Sequence, residues 1–191
     1  GDHLINEPRI AGLLPRDITV HDWAYWPELK PEHVTATVQQ GFPTIAGPAL
    51  VWSGASLRPA QRNLDNVAEM ARRARDAHAL GTIATVWVPT RFPPEILWPA
   101  VALSGALIRG ENPVEAQDEF IRRYWRAEPT EAWREALRLC YRTGPRPDEM
   151  AALFPITPQE WQRAPEGLAA CRRWQSALDR AAGLLQSCAR Q

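Results

Sequence analysis

Short apolar runs alternate with helical patterns along the first part of the chain. The runs are rich in β-branched residues and end at glycine, proline or tryptophan, and they predict strands over residues 17–23, 42–47 and 82–87. Apolar residues at helical spacing predict helices over residues 31–41, 63–81 and 96–108. Asn63 is the expected N-cap of the second of these helices, and residues 47–61 are predicted to form a loop.

Strands and helices that alternate at intervals of ~25–40 residues are typical of repeated βα units on a parallel sheet. The short strands are apolar on both sides, which agrees with a sheet that is covered on both faces. No glycine-rich phosphate-binding motif follows any of the three strands, so a nucleotide-binding doubly wound fold loses its main support. A barrel-type arrangement and an open sheet without nucleotide remain as alternatives.

From residue 111 onwards the pattern is helical throughout. Asn112 followed by Glu115 matches a capping box, and Thr130 precedes a second segment of apolar residues at helical spacing. The sequence therefore predicts an α/β part over residues 1–110 and an all-helical domain over residues 111–191. We expect the tryptophans of the helical domain to pack its helices together; they are Trp125, Trp133, Trp161 and Trp174.

Composition narrows the classes of partner. The chain has 22 basic and 22 acidic residues, which does not favour a nucleic-acid partner. No window approaches the ~18 apolar residues that would span a bilayer, so no membrane segment is expected. The 3 cysteines and 4 histidines lack ligand spacing, and we expect no metal or cofactor. The unusual feature is the presence of 9 tryptophans, because chains rich in this residue often place some of them on a ligand surface.

Each predicted strand is followed by an aromatic side chain. Trp23, Trp52 and Trp87 lie at or just beyond the carboxyl ends of the three strands, which is the working face of a parallel barrel. Aromatic rings stack on the apolar faces of sugars or bases, and Asp22 and Tyr25 can bind hydroxyl or amide groups beside them. The alternatives are that the tryptophans fill the core and that Asp22 caps a turn or pairs with an arginine.

Two further residues near the first strand carry expectations. Asp2 joins the same working face if another strand precedes it, and is otherwise part of a frayed terminus. His21 lies inside an apolar run, which favours a hydrogen-bonded histidine in the core over a catalytic one.

Three stretches resemble the later strands of glycoside hydrolase family 20 and its β-N-acetylhexosaminidase-like relatives. The stretches are "LLPRDITVHDWAYWPE", "QQGFPTIAGPALVW" and "NLDNVAEMARRARDAHALGTIATVW". The segment "LWPAVALSGALIRG" resembles the last helix of the barrel in these proteins. The resemblance thus runs from the beginning of the chain to the end of the third predicted βα unit.

The resemblance implies a (β/α)₈ barrel that removes terminal N-acetylhexosamine without a cofactor. In this family the acetamido oxygen of the substrate attacks the anomeric carbon, assisted by an adjacent Asp-Glu pair. It further implies that Tyr25 hydrogen-bonds the acetamido group and that Trp23, Trp52 and Trp87 wall the sugar pocket. Asp22 and Asp2 would be polar contacts in that pocket.

The chain departs from the family in two respects. Its only Asp-Glu dipeptides, at residues 118–119 and 148–149, fall in the helical part and do not match the catalytic pair. Val88-Pro89 stand after Trp87, where family members usually carry an acidic residue.

The missing pair leads to an expectation about the extent of the protein. A barrel takes ~250 residues, so we expect this chain to be the C-terminal part of a longer glycosidase. The catalytic Asp-Glu pair is then expected upstream of Gly1, and the chain alone is expected to be inactive. The alternative is a non-catalytic module that binds carbohydrate or protein.

Overall fold

The structure is a computed structural model that describes residues 2–25, 28–51, 61–87, 94–141 and 158–189. The strands are β1 Val20–Trp23, β2 Thr44–Gly47, β3 Ala49–Val51, β4 Gly81–Thr82 and β5 Thr85–Val86. The α-helices are α1 Asp2–Asn6, α2 Thr35–Gln39, α3 Gln61–Asp76, α4 Pro94–Arg109, α5 Pro113–Tyr124, α6 Glu131–Cys140 and α7 Pro158–Cys188. A 3₁₀ helix spans Pro8–Leu13.

The strands pair in parallel and in chain order. β1 pairs with β2, β2 with β4, and β3 with β5. Hydrogen bonds continue the pairing across the breaks, from Ile83 N to Ala46 O and from Thr85 N to Pro48 O, both at 2.9 Å. The three predicted strands therefore lie side by side, and the prediction of an α/β class with parallel strands is confirmed.

Helices α2 and α3 lie on the same face of this sheet. The Thr44 hydroxyl donates to the Thr37 hydroxyl of α2 at 3.1 Å. Ala46, two residues further along β2 and so on the same face, packs with Met70 and Ala74 of α3. Doubly wound sheets carry helices on both faces, whereas here the two connecting helices share one face. The opposite face carries His21, which is exposed.

The predicted loop over residues 47–61 contains the short strand β3. Its position depends on α3, because the Asn63 amide donates to the Ala49 carbonyl and the Asn66 amide oxygen accepts from the Ala49 N–H, both at 3.3 Å. The expectation that Asn63 caps the helix is therefore wrong: α3 begins at Gln61, and Asn63 lies within its first turn, turned towards the strand.

Two other predicted elements are shorter than expected. The helix expected over residues 31–41 is reduced to α2, because Val34 at its start has φ of 69° and interrupts the helical backbone. Gly41 follows this segment with φ of 83°, a conformation that glycine adopts without strain. The strand expected over residues 82–87 is divided into β4 and β5.

In the described residues after 111, the predicted helices are present as α5, α6 and α7. Asn112 caps α5 by accepting from Val114 N at 2.9 Å, and Thr130 caps α6 by accepting from Trp133 N at 3.5 Å. Trp125 and Trp133 stack with ring centroids 4.9 Å apart, as expected of tryptophans that pack helices. α6 and α7 pack through a small apolar cluster, which contains Leu139, Ala177 and Ala181.

One apolar core crosses the predicted domain boundary at residue 110. Its buried members come from both sides of that boundary and are Leu50, Leu64, Ala100, Ile121, Leu137 and Tyr141. A backbone hydrogen bond from Gln61 N to Tyr141 O, at 2.6 Å, joins the start of α3 to the end of α6. Helices α5 and α6 therefore complete the core of the α/β part.

Candidate functional site

Three of the aromatic residues predicted from the sequence form a cluster at the carboxyl ends of the strands. The Trp23 and Tyr25 ring centroids lie 5.1 Å apart, and those of Tyr25 and Trp87 lie 5.9 Å apart. Both distances fall in the range of about 4.5–7 Å at which aromatic pairs attract. We call Trp23, Tyr25 and Trp87 the aromatic cluster.

Local backbone structure explains this convergence. Trp23 is the last residue of β1, and Tyr25 follows two residues later, so the two side chains leave the backbone on the same side. Trp87 follows β5, and its N–H donates to Val51 O at 3.0 Å. β1 and β5 are not hydrogen-bonded to each other, but parallel strands end at the same edge, so their terminal residues meet there.

The solvent exposure of the three aromatic side chains increases from Tyr25 to Trp23 to Trp87. Tyr25 is buried at 7% exposure, Trp23 is half-buried, and Trp87 is 47% exposed. The buried phenol ring supports the indole of Trp87, which presents part of its area to solvent. A partly exposed indole on a fixed support is suited to stacking on a flat apolar surface.

Asp22 lies on the other side of β1 from the aromatic cluster. Its side chain is fully buried, and its Oδ2 accepts from the Val34 N–H at 2.5 Å. Its Oδ1 lies 3.2 Å from Nδ1 of His33. Both carboxylate oxygens are thus engaged within the chain. The position of Asp22 differs from the expected sugar contact. It matches the alternative, in which its carboxylate caps a turn of the chain.

The expectation of a core position for His21 is wrong. His21 is exposed, and its ring lies over Gly47 on the neighbouring strand. A Cβ atom at Gly47 would lie 2.2 Å from Nε2 of His21, so the ring occupies space that only glycine leaves open. The packing of the His21 ring therefore explains why a glycine stands at the end of β2.

The remaining predicted site residues lie outside the part of the structure that describes side chains. Trp52 falls in residues 52–60, which are not among the described residues. Asp2 begins α1, but its side chain is likewise outside the description. The structure therefore brings together three of the six predicted site residues and places Asp22 elsewhere.

The expected position of the catalytic pair, upstream of Gly1, also falls outside what the structure describes. Gly1 itself is not among the described residues, which begin at residue 2. The expectation that an Asp-Glu pair precedes Gly1 therefore stays a prediction.

A groove between α4 and α5 was not predicted. It has a volume of about 670 Å³, and its apolar wall includes Val101, Phe120 and Tyr124. Its rim carries the ion pairs Arg109–Glu111 and Arg123–Glu119. The hydrogen bond from Arg109 lowers the pKa of the Glu111 carboxyl. The spacing of Phe120 and Tyr124 on one helical face was the available signal.

The described residues also show whether clustered metal ligands or membrane-spanning helices are present. They contain no cluster of three or more histidine, cysteine, aspartate or glutamate side chains arranged to hold a metal ion. None of the helices seen in the described ranges has both the length and the apolar character to cross a membrane.

Comparisons with known proteins do not assign the chain. No protein-family model matches it, and neither the curated proteins nor the solved structures give a match. The family resemblance therefore rests on four stretches of the sequence alone.

Proposed function

We propose that the α/β part is the C-terminal portion of a glycosidase barrel related to the β-N-acetylhexosaminidases. In this proposal the aromatic cluster forms one wall of a pocket for a terminal N-acetylhexosamine. The observation that carries the proposal is that Trp23 and Tyr25, at the end of β1, meet Trp87, at the end of β5, at the carboxyl edge of the parallel strands. That edge is the catalytic face of (β/α)₈ barrels.

The arrangement of the sheet supports the barrel. Strands in chain order with their helices on a single face are what a segment of a (β/α)₈ barrel contains, because its helices form an outer ring. The opposite face, which a closed barrel would enclose, carries the exposed His21 and the half-buried Ile45. Beside β4, Ile83 is 52% exposed. Further strands would cover these side chains.

Each member of the aromatic cluster has a role in this pocket. The exposed indole of Trp87 stacks on the apolar face of the sugar ring, and Trp23 forms the adjoining wall. The Tyr25 hydroxyl hydrogen-bonds the acetamido oxygen and so favours N-acetylated sugars over their unsubstituted counterparts.

The acid/base pair of this reaction is assigned to other parts of a longer protein, upstream of Gly1. A general acid that works near neutral pH needs a raised pKa. Asp118 has the opposite property, since a hydrogen bond from Arg134 lowers the pKa of its carboxyl. Glu119 forms ion pairs with Arg122 and Arg123 on the surface of α5. The chain alone is therefore expected to bind the sugar without cleaving it.

A non-catalytic module is the second candidate function, and one observation favours it. Large apolar side chains are exposed at the α4–α5 surface, where Trp98 is 42% exposed and Tyr124 is 52% exposed. Such residues are frequent anchors of protein interfaces. In this case the groove, and not the aromatic cluster, would be the principal binding surface.

Saturation-transfer NMR of the chain with N-acetylglucosamine tests the proposal. We expect the acetamido methyl protons to receive the strongest saturation, because this group lies against Tyr25. Glucose, which lacks the acetamido group, should give a much weaker signal at the same concentration. Equal signals from the two sugars, or none from either at millimolar concentration, would contradict the proposed pocket.

Hydrolysis gives a separate test. The purified chain should not release aryl alcohol from an aryl N-acetylhexosaminide above the uncatalysed rate. Turnover well above that rate would show that the catalytic residues are present in this chain and that their assignment elsewhere is wrong.

A further inference from the structure

A buried polar network lies beneath the connection from β1 to α2. Its members come from three elements and the connecting turn, and they are Asp22, His33, Thr37 and Thr44. Their exposures are 0%, 4%, 0% and 1%. Polar side chains are buried to this degree only when hydrogen bonds satisfy them. We call these four residues the Asp22 network.

The network holds Val34 in an unusual backbone conformation. Val34 has φ of 69° and ψ of −50°, close to the rare and strained form of the γ-turn. A β-branched residue at positive φ is an outlier that persists only where the surroundings enforce it. Here the Val34 N–H donates to Asp22, and the Val34 carbonyl accepts from the Thr37 hydroxyl at 2.9 Å.

Asp22 also satisfies a backbone donor at the start of α2. Val34 occupies the N-cap position of α2, and its apolar side chain cannot accept a hydrogen bond there. The carboxylate of Asp22 reaches this position from β1, and its second oxygen lies against His33. The network continues from Thr37 to the Thr44 hydroxyl, so it joins β1, α2 and β2.

Packing connects this network to the aromatic cluster. The Val34 side chain is fully buried and packs in one apolar cluster with Ala24, Ala46 and Met70. Ala24 lies between Trp23 and Tyr25 in the chain. The backbone that carries both aromatic residues is therefore fixed against the same residue that Asp22 holds.

From these contacts we infer that Asp22 is a positioning residue and not a sugar contact. It holds Val34 in its strained conformation and thereby sets the orientation of Trp23 and Tyr25 towards Trp87. The importance of this role for sugar binding rests on the proposed function, but the positioning itself does not.

Fluorine NMR of the 5-fluorotryptophan-labelled chain tests the inference without any sugar. The resonances of Trp23 and Trp87 are assigned with the variants Trp23→Phe and Trp87→Phe. We expect Asp22→Ala to shift or broaden both resonances under conditions where denaturant titration shows the protein folded. Hydrogen exchange of the Val34 amide should accelerate by about tenfold or more, since that N–H loses its acceptor. Asp22→Asn keeps one acceptor oxygen and should have a smaller effect.

Asp17→Ala is the matched control, because Asp17 precedes the same strand and is exposed. It should leave both resonances and the Val34 exchange rate unchanged. If Asp22→Ala does not fold, Asp22→Asn and His33→Ala carry the test, since each removes one part of the contact.

A loss of stability with unchanged Trp23 and Trp87 resonances would show that Asp22 has only a structural role, and would overturn the inference. Failure of the wild-type chain to bind N-acetylglucosamine is a different result. It would contradict the proposed function, while displaced resonances in Asp22→Ala would still establish the positioning role.

Discussion

The side chain of His21 lies directly over Gly47, one strand away, at a distance that leaves no room for a Cβ atom. We predict that Gly47→Ala lowers the free energy of unfolding by less than about 1 kcal/mol, because the new methyl group displaces the imidazole of His21, whose exposed side chain can turn aside. Denaturant titration measures the change. His21→Ala in the same chain should restore most of the loss. Gly12→Ala is the control, since nothing lies within 4 Å of the position that its Cβ would occupy. Equal effects at the two glycines would contradict this packing.

The core that joins the two halves of the chain gives a second prediction. Leu137 of α6 is buried against residues of the α/β part, so Leu137→Ala should cost about 2–5 kcal/mol. Hydrogen exchange should show faster opening in α3 as well as in α6, because the two share that core. Leu168→Ala on α7 is the control, since Leu168 is 44% exposed. Two separate unfolding transitions in the wild type would contradict a shared core.

The ion pair between α5 and α6 predicts a dependence on pH. Arg134 donates to both carboxylate oxygens of Asp118, at 2.9 and 2.8 Å, and this hydrogen bonding lowers the pKa of Asp118 in the folded state. Folding therefore favours the ionised carboxylate. Its stabilisation is complete above the unfolded pKa of about 3.9 and is lost as the pH falls through the lower folded pKa.

Asp118→Asn should accordingly destabilise the protein at pH 7, and the difference from wild type should shrink below about pH 3.9. Denaturant titration at a series of pH values measures it. Glu131→Gln is a useful control because Glu131 also pairs with Arg134 but is 85% exposed, and its effect should be small. A difference for Asp118→Asn that stays constant down to about pH 2, well below the unfolded pKa, would contradict the assigned ion pair.

Elements fixed by neighbouring residues were predictable from the sequence. Asn112 caps the helix that follows it, as the pattern predicted, and the second helix begins directly after Thr130, where the pattern placed its start. The strand β3 was missed because its position depends on Asn63 and Asn66 of α3, which are distant in sequence. No local pattern indicates such a contact.

Only part of the candidate site was predictable from the sequence. Alternation along β1 indicates that Asp22 and Trp23 face opposite sides, but it does not indicate which side the helices cover. That choice depends on Thr44 and Ala46 packing against α2 and α3. The convergence of Tyr25 and Trp87 followed from the rule that parallel strands end together, and it could be anticipated.

Affinity for N-acetylglucosamine in a matched pair of tryptophan variants tests the sugar pocket most directly. Trp87 and Trp98 are 47% and 42% exposed, but only Trp87 belongs to the aromatic cluster. We predict that Trp87→Ala weakens binding about tenfold, a loss of about 1.4 kcal/mol, because the apolar face of the sugar loses the indole that covers it. Trp98→Ala should bind as the wild type does. Unchanged affinity in Trp87→Ala, or equal losses in both variants, would contradict the pocket.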